Sequence, residues 1–85
     1  MNLWVRSQDK RILQKVDNIF LDANYENKRI STYDGDNVEL GTYKTKERAL
    51  EVLDEIQNIL YSGLHATNNN QLAGTSTFVY QMPKD

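Results

Sequence analysis

The chain has 85 residues, 39% of them hydrophobic and 26% charged, and its 10 basic and 12 acidic side chains give a net charge of −2. This size fits one domain, residues 1–85, and this charge balance excludes a general attraction to DNA, RNA or anionic membranes. The absence of cysteine excludes a disulfide framework, and no apolar run approaches the ~20 residues of a membrane-spanning helix. We therefore expect a cytoplasmic protein without a membrane partner.

The N-terminal part of the chain has the pattern of short strands. Residues 3–6 alternate apolar and polar side chains, a polar break follows at residues 7–10, and residues 11–16 are again strand-like. This arrangement predicts a β-hairpin. Apolar residues 19–21 predict a third strand, and residues 22–27 are rich in turn-forming side chains.

A second hairpin is predicted in the middle of the chain. Residues 29–33 and 38–43 are strand-like, and they flank the dipeptide Asp34-Gly35, which tolerates the positive φ of tight turns. Gly41 interrupts the second of these strands, which indicates a β-bulge or a close approach by the following helix.

An amphipathic helix is predicted within Tyr43–Gly63. Thr45 fits the N-cap position, Glu47 complements the positive end of the helix dipole, and Gly63 fits the helix stop. The apolar side chains recur at three- and four-residue spacing, as expected for one buried stripe: Ala49, Leu50, Val52, Leu53, Ile56, Ile59 and Leu60.

The end of the chain predicts a loop followed by a strand. Residues 64–76 lack periodicity and include three consecutive asparagines, which predicts a flexible loop, whereas residues 75–82 favour a strand that Pro83 ends. The element order is then β-β-β-β-β-α-β. We predict an α+β fold in which a mostly antiparallel sheet of roughly five to six strands packs on one helix. The last strand joins either this sheet or a neighbouring subunit.

Catalytic chemistry finds little support among the residues. His65 is the only histidine, so in a chain without cysteine a nucleophilic triad depends on a serine served by that one base. Glu51 and Glu55 lie four residues apart, which suits an acid–base or metal-ligand pair but equally a solvated helix face. We expect a non-enzymatic protein without cofactor or metal.

The predicted start of the helix is a candidate anion site. Tyr43, Lys44, Thr45, Lys46 and Arg48 place three cations beside free backbone N–H groups, where the helix dipole already favours a negative charge. The simpler interpretation is that Arg48 pairs with an acidic neighbour and the lysines keep the surface soluble.

The first hairpin offers a second candidate. Trp4 and Arg6 share one face of a strand, where they could stack a base and bind a phosphate, and Gln8 and Lys10 follow in the turn. The competing interpretation is that Trp4 belongs to the hydrophobic core.

Three segments carry a family resemblance: MNLWVRSQDK, LGTYKTKERALEVLDEIQ and FVYQMPK. They resemble the LWxRSQDK-like opening, the GxYxTxERALEVLDEIQ-like helix start and the VYxMP-like close of small proteins encoded by phages and prophages of Gram-positive bacteria. The resemblance lapses in residues 22–37 and 64–76.

This resemblance implies a role in the cytoplasm of an infected host cell. Small phage proteins without catalytic residues are often inhibitors of host defence, and some are oligomeric sponges that sequester nucleotide immune signals. We expect a homo-oligomer, a dimer or higher, that binds a nucleotide-derived small molecule of the cyclic oligonucleotide or cyclic ADP-ribose type. The alternative is inhibition of a host defence protein by direct contact.

Overall fold

The computed structural model describes residues 2–69 and 77–85, with side chains for residues 3–61 and 79–85. Within these residues the elements are β1 (Asn2–Arg6), β2 (Leu13–Val16), β3 (Phe20–Asp22), a short 3-10 helix (Ala23–Tyr25), β4 (Arg29–Tyr33), β5 (Asn37–Thr42), α1 (Lys46–Asn69) and β6 (Thr77–Gln81). The predicted α+β class and the order β-β-β-β-β-α-β are confirmed.

The strands form two three-stranded sheets, which are mostly antiparallel. In the first sheet, with order β2-β1-β6, the central β1 is antiparallel to β2 and parallel to β6. In the second sheet, with order β3-β4-β5, both strand pairs are antiparallel. The last strand therefore joins a sheet of its own chain, because β6 pairs with the first strand.

One hydrophobic core connects both sheets with α1. Its members are at most 8% exposed and come from four parts of the fold: Leu3, Val5 and Val16; Ile30, Leu40 and Tyr43; Ala49, Val52 and Ile56; Tyr80 and Met82. Strand alternation explains the contribution of β1, since Leu3 and Val5 face the core whereas Trp4 and Arg6 lie on the opposite face.

The apolar stripe of α1 is narrower than the sequence predicts. Ala49, Val52 and Ile56 are buried, and Ile59 and Leu60 pack against the edge of the core. Leu53 is only half-buried, and Leu50 is 38% exposed. The helix therefore packs against the sheets through Ala49, Val52 and Ile56, while Leu50 and Leu53, at the side of the predicted stripe, stay partly exposed to solvent.

The helix also ends later than predicted, because α1 continues through Gly63 to Asn69. A glycine inside a helix costs roughly 0.5–1 kcal/mol relative to alanine, and it stops the helix only where the chain turns into a left-handed conformation. Residues 64–69 of the predicted loop are therefore helical. The remainder of that loop, residues 70–76, lies outside the described residues. No helix in the described part of the chain is long and apolar enough to cross a membrane.

The second hairpin and its bulge follow the sequence closely. Gly35 lies in the β4–β5 loop with a φ of 76°. On the paired strands, Ser31 lies opposite Glu39 and Ile30 opposite Gly41, so that Leu40 is the extra residue of a bulge. A Cβ on Gly41 would lie 3.1 Å from the Tyr43 hydroxyl and 3.3 Å from Gln8 Cβ. The close approach at Gly41 thus comes from Tyr43 and Gln8, and not from α1.

Candidate functional site

A cavity of about 570 Å³ opens beside the start of α1. Its wall combines the end of β5, the connection into the helix, one helical side chain and the end of the chain: Thr42, Tyr43, Lys44, Arg48, Lys84 and Asp85. Three of these residues are cationic and one is acidic, so the cavity carries a surplus of positive charge. Three of the five residues of the predicted anion site, Tyr43, Lys44 and Arg48, line this cavity.

The first turn of α1 is capped as predicted. The Thr45 hydroxyl oxygen accepts a hydrogen bond from the backbone N–H of Arg48, at 3.1 Å, and the helix begins at Lys46. Thr45 and Lys46 are both exposed and do not line the cavity. Thr45 therefore acts on the site by fixing where the helix begins and hence where Arg48 projects.

Arg48 lines the cavity and also contacts an acidic side chain on the outer surface of α1. Its Nε donates to the backbone oxygen of Asp85, at 2.9 Å, and its Nη1 lies 3.2 Å from a Glu51 carboxylate oxygen. The neighbour-pairing interpretation of Arg48 is thus realised, and it holds the guanidinium at the cavity wall. Since a guanidinium has five N–H donors, these two contacts leave donors that can bind an anion.

Tyr43 lines the cavity but is almost completely buried. It is 4% exposed, and its hydroxyl donates to the backbone oxygen of Pro83, at 2.8 Å. Burial raises the pKa of Tyr43 to about 12, and the charge of Glu55 adds to this effect while Arg48 opposes it. Tyr43 is therefore neutral at physiological pH, and it acts in the wall as a hydrogen-bond donor.

The last four residues, 82–85, form a strap that closes one side of the cavity. The Met82 N–H donates to the Arg6 backbone oxygen at 3.0 Å, which continues the β6–β1 pairing. The backbone oxygens of Pro83, Lys84 and Asp85 then accept from Tyr43, Gln8 and Arg48 respectively. Each residue of the strap is thus tied to a different part of the fold, and Lys84 and Asp85 are held at the cavity.

Gln8 connects the strap to the end of β5. Its side-chain Nε2 donates to the backbone oxygens of Thr42, at 3.0 Å, and Lys84, at 2.7 Å, and its Oε1 accepts from the Thr42 N–H at 3.0 Å. These bonds join two residues of the cavity wall through one amide. Gln8, which the sequence predicts as a ligand residue, does not line the cavity. It acts instead as a positioning residue for two residues that do.

The turn between β1 and β2 holds Gln8 in place. The Ser7 hydroxyl donates to Asp9 at 2.6 Å, and the same carboxylate oxygen accepts from the Arg11 N–H at 3.0 Å. The Ser7 hydroxyl holds the pKa of the Asp9 carboxyl below its usual value, and the Arg11 N–H acts in the same direction. At the end of the turn Lys10 has a positive φ of 67°. The RSQDK segment is thus a compact hydrogen-bonded turn.

Trp4, Arg6 and Lys10 lie away from the cavity. Trp4 and Arg6 share the outer face of the first sheet, Trp4 is half-buried, and Arg6 donates through Nε to the Lys10 backbone oxygen at 3.1 Å. The prediction that Trp4 and Arg6 share a face is therefore confirmed. The two predicted clusters do not converge on one site, because β1 presents this face to the side opposite the core.

The two acidic residues that the sequence offered as a catalytic or metal-ligand pair, Glu51 and Glu55, each bind another side chain. Glu51 pairs with Arg48, and Glu55 accepts a 2.5 Å hydrogen bond from the Tyr80 hydroxyl. Burial, followed by the bond to Glu55, raises the pKa of Tyr80. His65 lies in the last part of α1, where side chains are outside the described residues. Among the residues that are described, no group of three acidic or histidine side chains could hold a metal ion.

Sequence reasoning missed Thr42, Lys84 and Asp85 as members of the site. The parallel pairing of β1 with β6 brings residues 82–85 to the start of α1. No local sequence pattern predicts this pairing. Comparisons with protein families, with curated proteins and with solved structures found no match for this chain.

Proposed function

We propose that the chain is a non-enzymatic, phage-encoded anti-defence protein that binds and sequesters a nucleotide-derived immune signal. One observation carries the proposal: the cavity of about 570 Å³ that combines the cations Lys44, Arg48 and Lys84 with the apolar ring of Tyr43. Its volume is within the range of small-molecule sites, and its charge favours a phosphorylated ligand. The phage origin and the anti-defence role rest on the family resemblance of the sequence.

In this proposal Arg48 and Lys84 bind the phosphates of the ligand. Arg48 offers the donors that its contacts with Asp85 and Glu51 leave, and Lys84 supplies a second cation from the strap. The side chain of Asp85 repels an anion at one edge, which favours a ligand with a hydroxyl or amino group there. A cyclic dinucleotide or a cyclic ADP-ribose isomer combines phosphates with such groups.

Isothermal titration with a panel of cyclic dinucleotides and cyclic ADP-ribose isomers tests the proposal. We expect Arg48→Ala to weaken binding about tenfold or more, because a hydrogen bond to a charged group contributes about 1.5–3 kcal/mol. Arg11→Ala removes an equal charge from the turn between β1 and β2. It is the matched control and should keep the affinity. No heat with any member of the panel, from folded protein, would contradict the proposal. Recovery of altered ligand after denaturation would indicate an enzyme instead.

Direct inhibition of a host protein is the second candidate function. It is favoured by the acidic outer surface of α1, where Glu47 and Asp54 flank the exposed Leu50. A pull-down with the tagged chain separates the candidates, because a nucleotide sponge retains no host protein in a fixed ratio. Loss of a captured defence protein on Asp54→Lys would favour direct inhibition.

A further inference from the structure

The outer face of the first sheet combines apolar and cationic side chains. In one row across the strands Leu13 lies opposite Arg6, which lies opposite Gln81, and in the next row Lys15 lies opposite Trp4, which lies opposite Val79. Leu13 is 53% exposed and Val79 is 65% exposed. No acidic side chain belongs to these two rows, so the face is apolar with a positive charge.

The outer surface of α1 has the opposite character. Leu50 is 38% exposed, and the acidic residues Glu47, Glu51 and Asp54 are exposed around it, with one cation, Lys46, at the edge of the group. Glu47 and Asp54 lie three and four residues from Leu50 along the helix. Glu51 lies four residues from Glu47 and three from Asp54. They therefore form one patch. It is an acidic patch with an apolar centre, on the side of the helix away from Val52 and Ile56.

We infer that the outer face of the first sheet binds the acidic surface of α1 of a second copy of this chain. The two surfaces are complementary in charge, with Arg6 and Lys15 on one and Glu47 and Asp54 on the other. Val79, the more exposed of the two apolar side chains on the sheet face, packs against Leu50 in this contact.

The charges also determine the symmetry of the contact. If two copies paired through the same face, Arg6 and Lys15 of one copy would lie near Arg6 and Lys15 of the other, or Glu47 and Asp54 near their equivalents. Like charges in contact across an interface repel each other. The contact is therefore heterologous, so that each copy uses its sheet face toward one neighbour and its helix face toward the other. Such a contact builds a closed ring or an open chain of subunits.

Sedimentation equilibrium at low ionic strength tests this inference with charge reversals. We expect the wild-type mass to rise above the 9.9 kDa of one chain as concentration increases, and to fall when salt is added. Lys15→Glu and Asp54→Lys should each weaken association at least tenfold. The double variant carrying both changes should recover most of the wild-type association, because the reversed faces attract each other again.

Asp36→Lys is the matched control, since it makes the same charge change as Asp54→Lys in the β4–β5 loop, outside both faces. It should associate as the wild type does. Circular dichroism of each variant verifies that it is folded. A wild type that stays at one chain's mass at every concentration would overturn the inference. So would single variants that associate normally, or folded single and double variants that all stay dissociated. No ligand is used, so the result is independent of the proposed nucleotide site.

Discussion

Gln8 joins three parts of the chain through one side-chain amide. Its three hydrogen bonds reach the backbone of Thr42 and Lys84, and so they fix both the end of β5 and the strap. Hydrogen bonds that share one side chain can reinforce one another. The role of Gln8 is therefore to hold two walls of the cavity together.

We predict that Gln8→Ala destabilises the protein by about 1–3 kcal/mol, because it removes three hydrogen bonds that each contribute about 0.5–1.5 kcal/mol, less where water replaces the lost partner. Urea unfolding followed by circular dichroism measures this change. Gln57→Ala, at an exposed position of α1, is the matched control and should change the stability by less than about 0.5 kcal/mol. Equal stabilities of the two variants would contradict the role of Gln8.

The buried tyrosines predict how stability depends on alkaline pH. The pKa of Tyr43 is raised to about 12 in the folded protein, and that of Tyr80 is also raised, whereas an unfolded tyrosine titrates near pH ~10. A raised pKa means that the folded state holds its proton longer, so this contribution to stability is complete below pH ~10 and is lost as pH rises toward about 12.

We therefore expect the free energy of unfolding to fall between pH ~10 and ~12, and to fall less steeply in Tyr43→Phe. Urea titrations at a series of pH values measure the slope. Below pH ~10 the variant and the wild type should differ by a constant amount, which reflects the lost hydrogen bond to Pro83. Parallel curves through the alkaline range would show that Tyr43 does not carry this pH dependence.

At the level of elements, α1 holds the two sheets together through a narrow line of side chains. Ile56 is 2% exposed within this line, whereas Leu50, on the same helix, is 38% exposed. Truncating a buried aliphatic side chain removes its transfer free energy and leaves a cavity, and truncating an exposed one does neither fully.

We predict that Ile56→Ala costs about 2–5 kcal/mol of stability and that Leu50→Ala costs much less. The comparison uses one helix and the same kind of truncation, so helix propensity contributes similarly to both. Thermal and urea unfolding of the two variants measure the difference. If Leu50→Ala proved as costly as Ile56→Ala, the apolar stripe would be as wide as the sequence alone predicts.

The elements themselves were largely predictable from local patterns. The Asp34-Gly35 turn, the bulge beside Gly41 and the cap at Thr45 each follow from one residue whose chemistry restricts the backbone. The helix end was not predictable from Gly63, because a glycine is tolerated within a helix when the following residues continue it. The division into two sheets also escaped the sequence, since strand pairing depends on the whole chain.

At the level of the whole molecule, the candidate site depends on the meeting of distant segments. The sequence predicted the cations at the start of α1, and the cavity contains two of them, Lys44 and Arg48. Lys84 and Asp85 arrive only because β6 runs parallel to β1, so their membership could not be read from spacing. The second candidate site, with Trp4 and Arg6, lies on the outer face of the first sheet and does not join this cavity.

This separation gives two surfaces with different roles. The cavity at the start of α1 is the proposed ligand site, and the outer face of the first sheet is the proposed contact with a second copy. The charged residues of the proposed contact are Arg6, Lys15, Glu47 and Asp54, and none of them lines the cavity. Ligand binding and self-association are therefore expected to respond to different substitutions.

The central claim is that the cavity at the start of α1 binds a nucleotide-type anion. Two-dimensional NMR of the isotope-labelled chain, titrated with the nucleotide that gives the strongest heat, tests it most directly. We predict that the amide shifts change most at Thr42–Arg48 and at Met82, Lys84 and Asp85, and that Arg48→Ala reduces these changes. Shifts confined to Trp4, Arg6 and Lys15 on the outer sheet face, or no shifts at all, would contradict the claim.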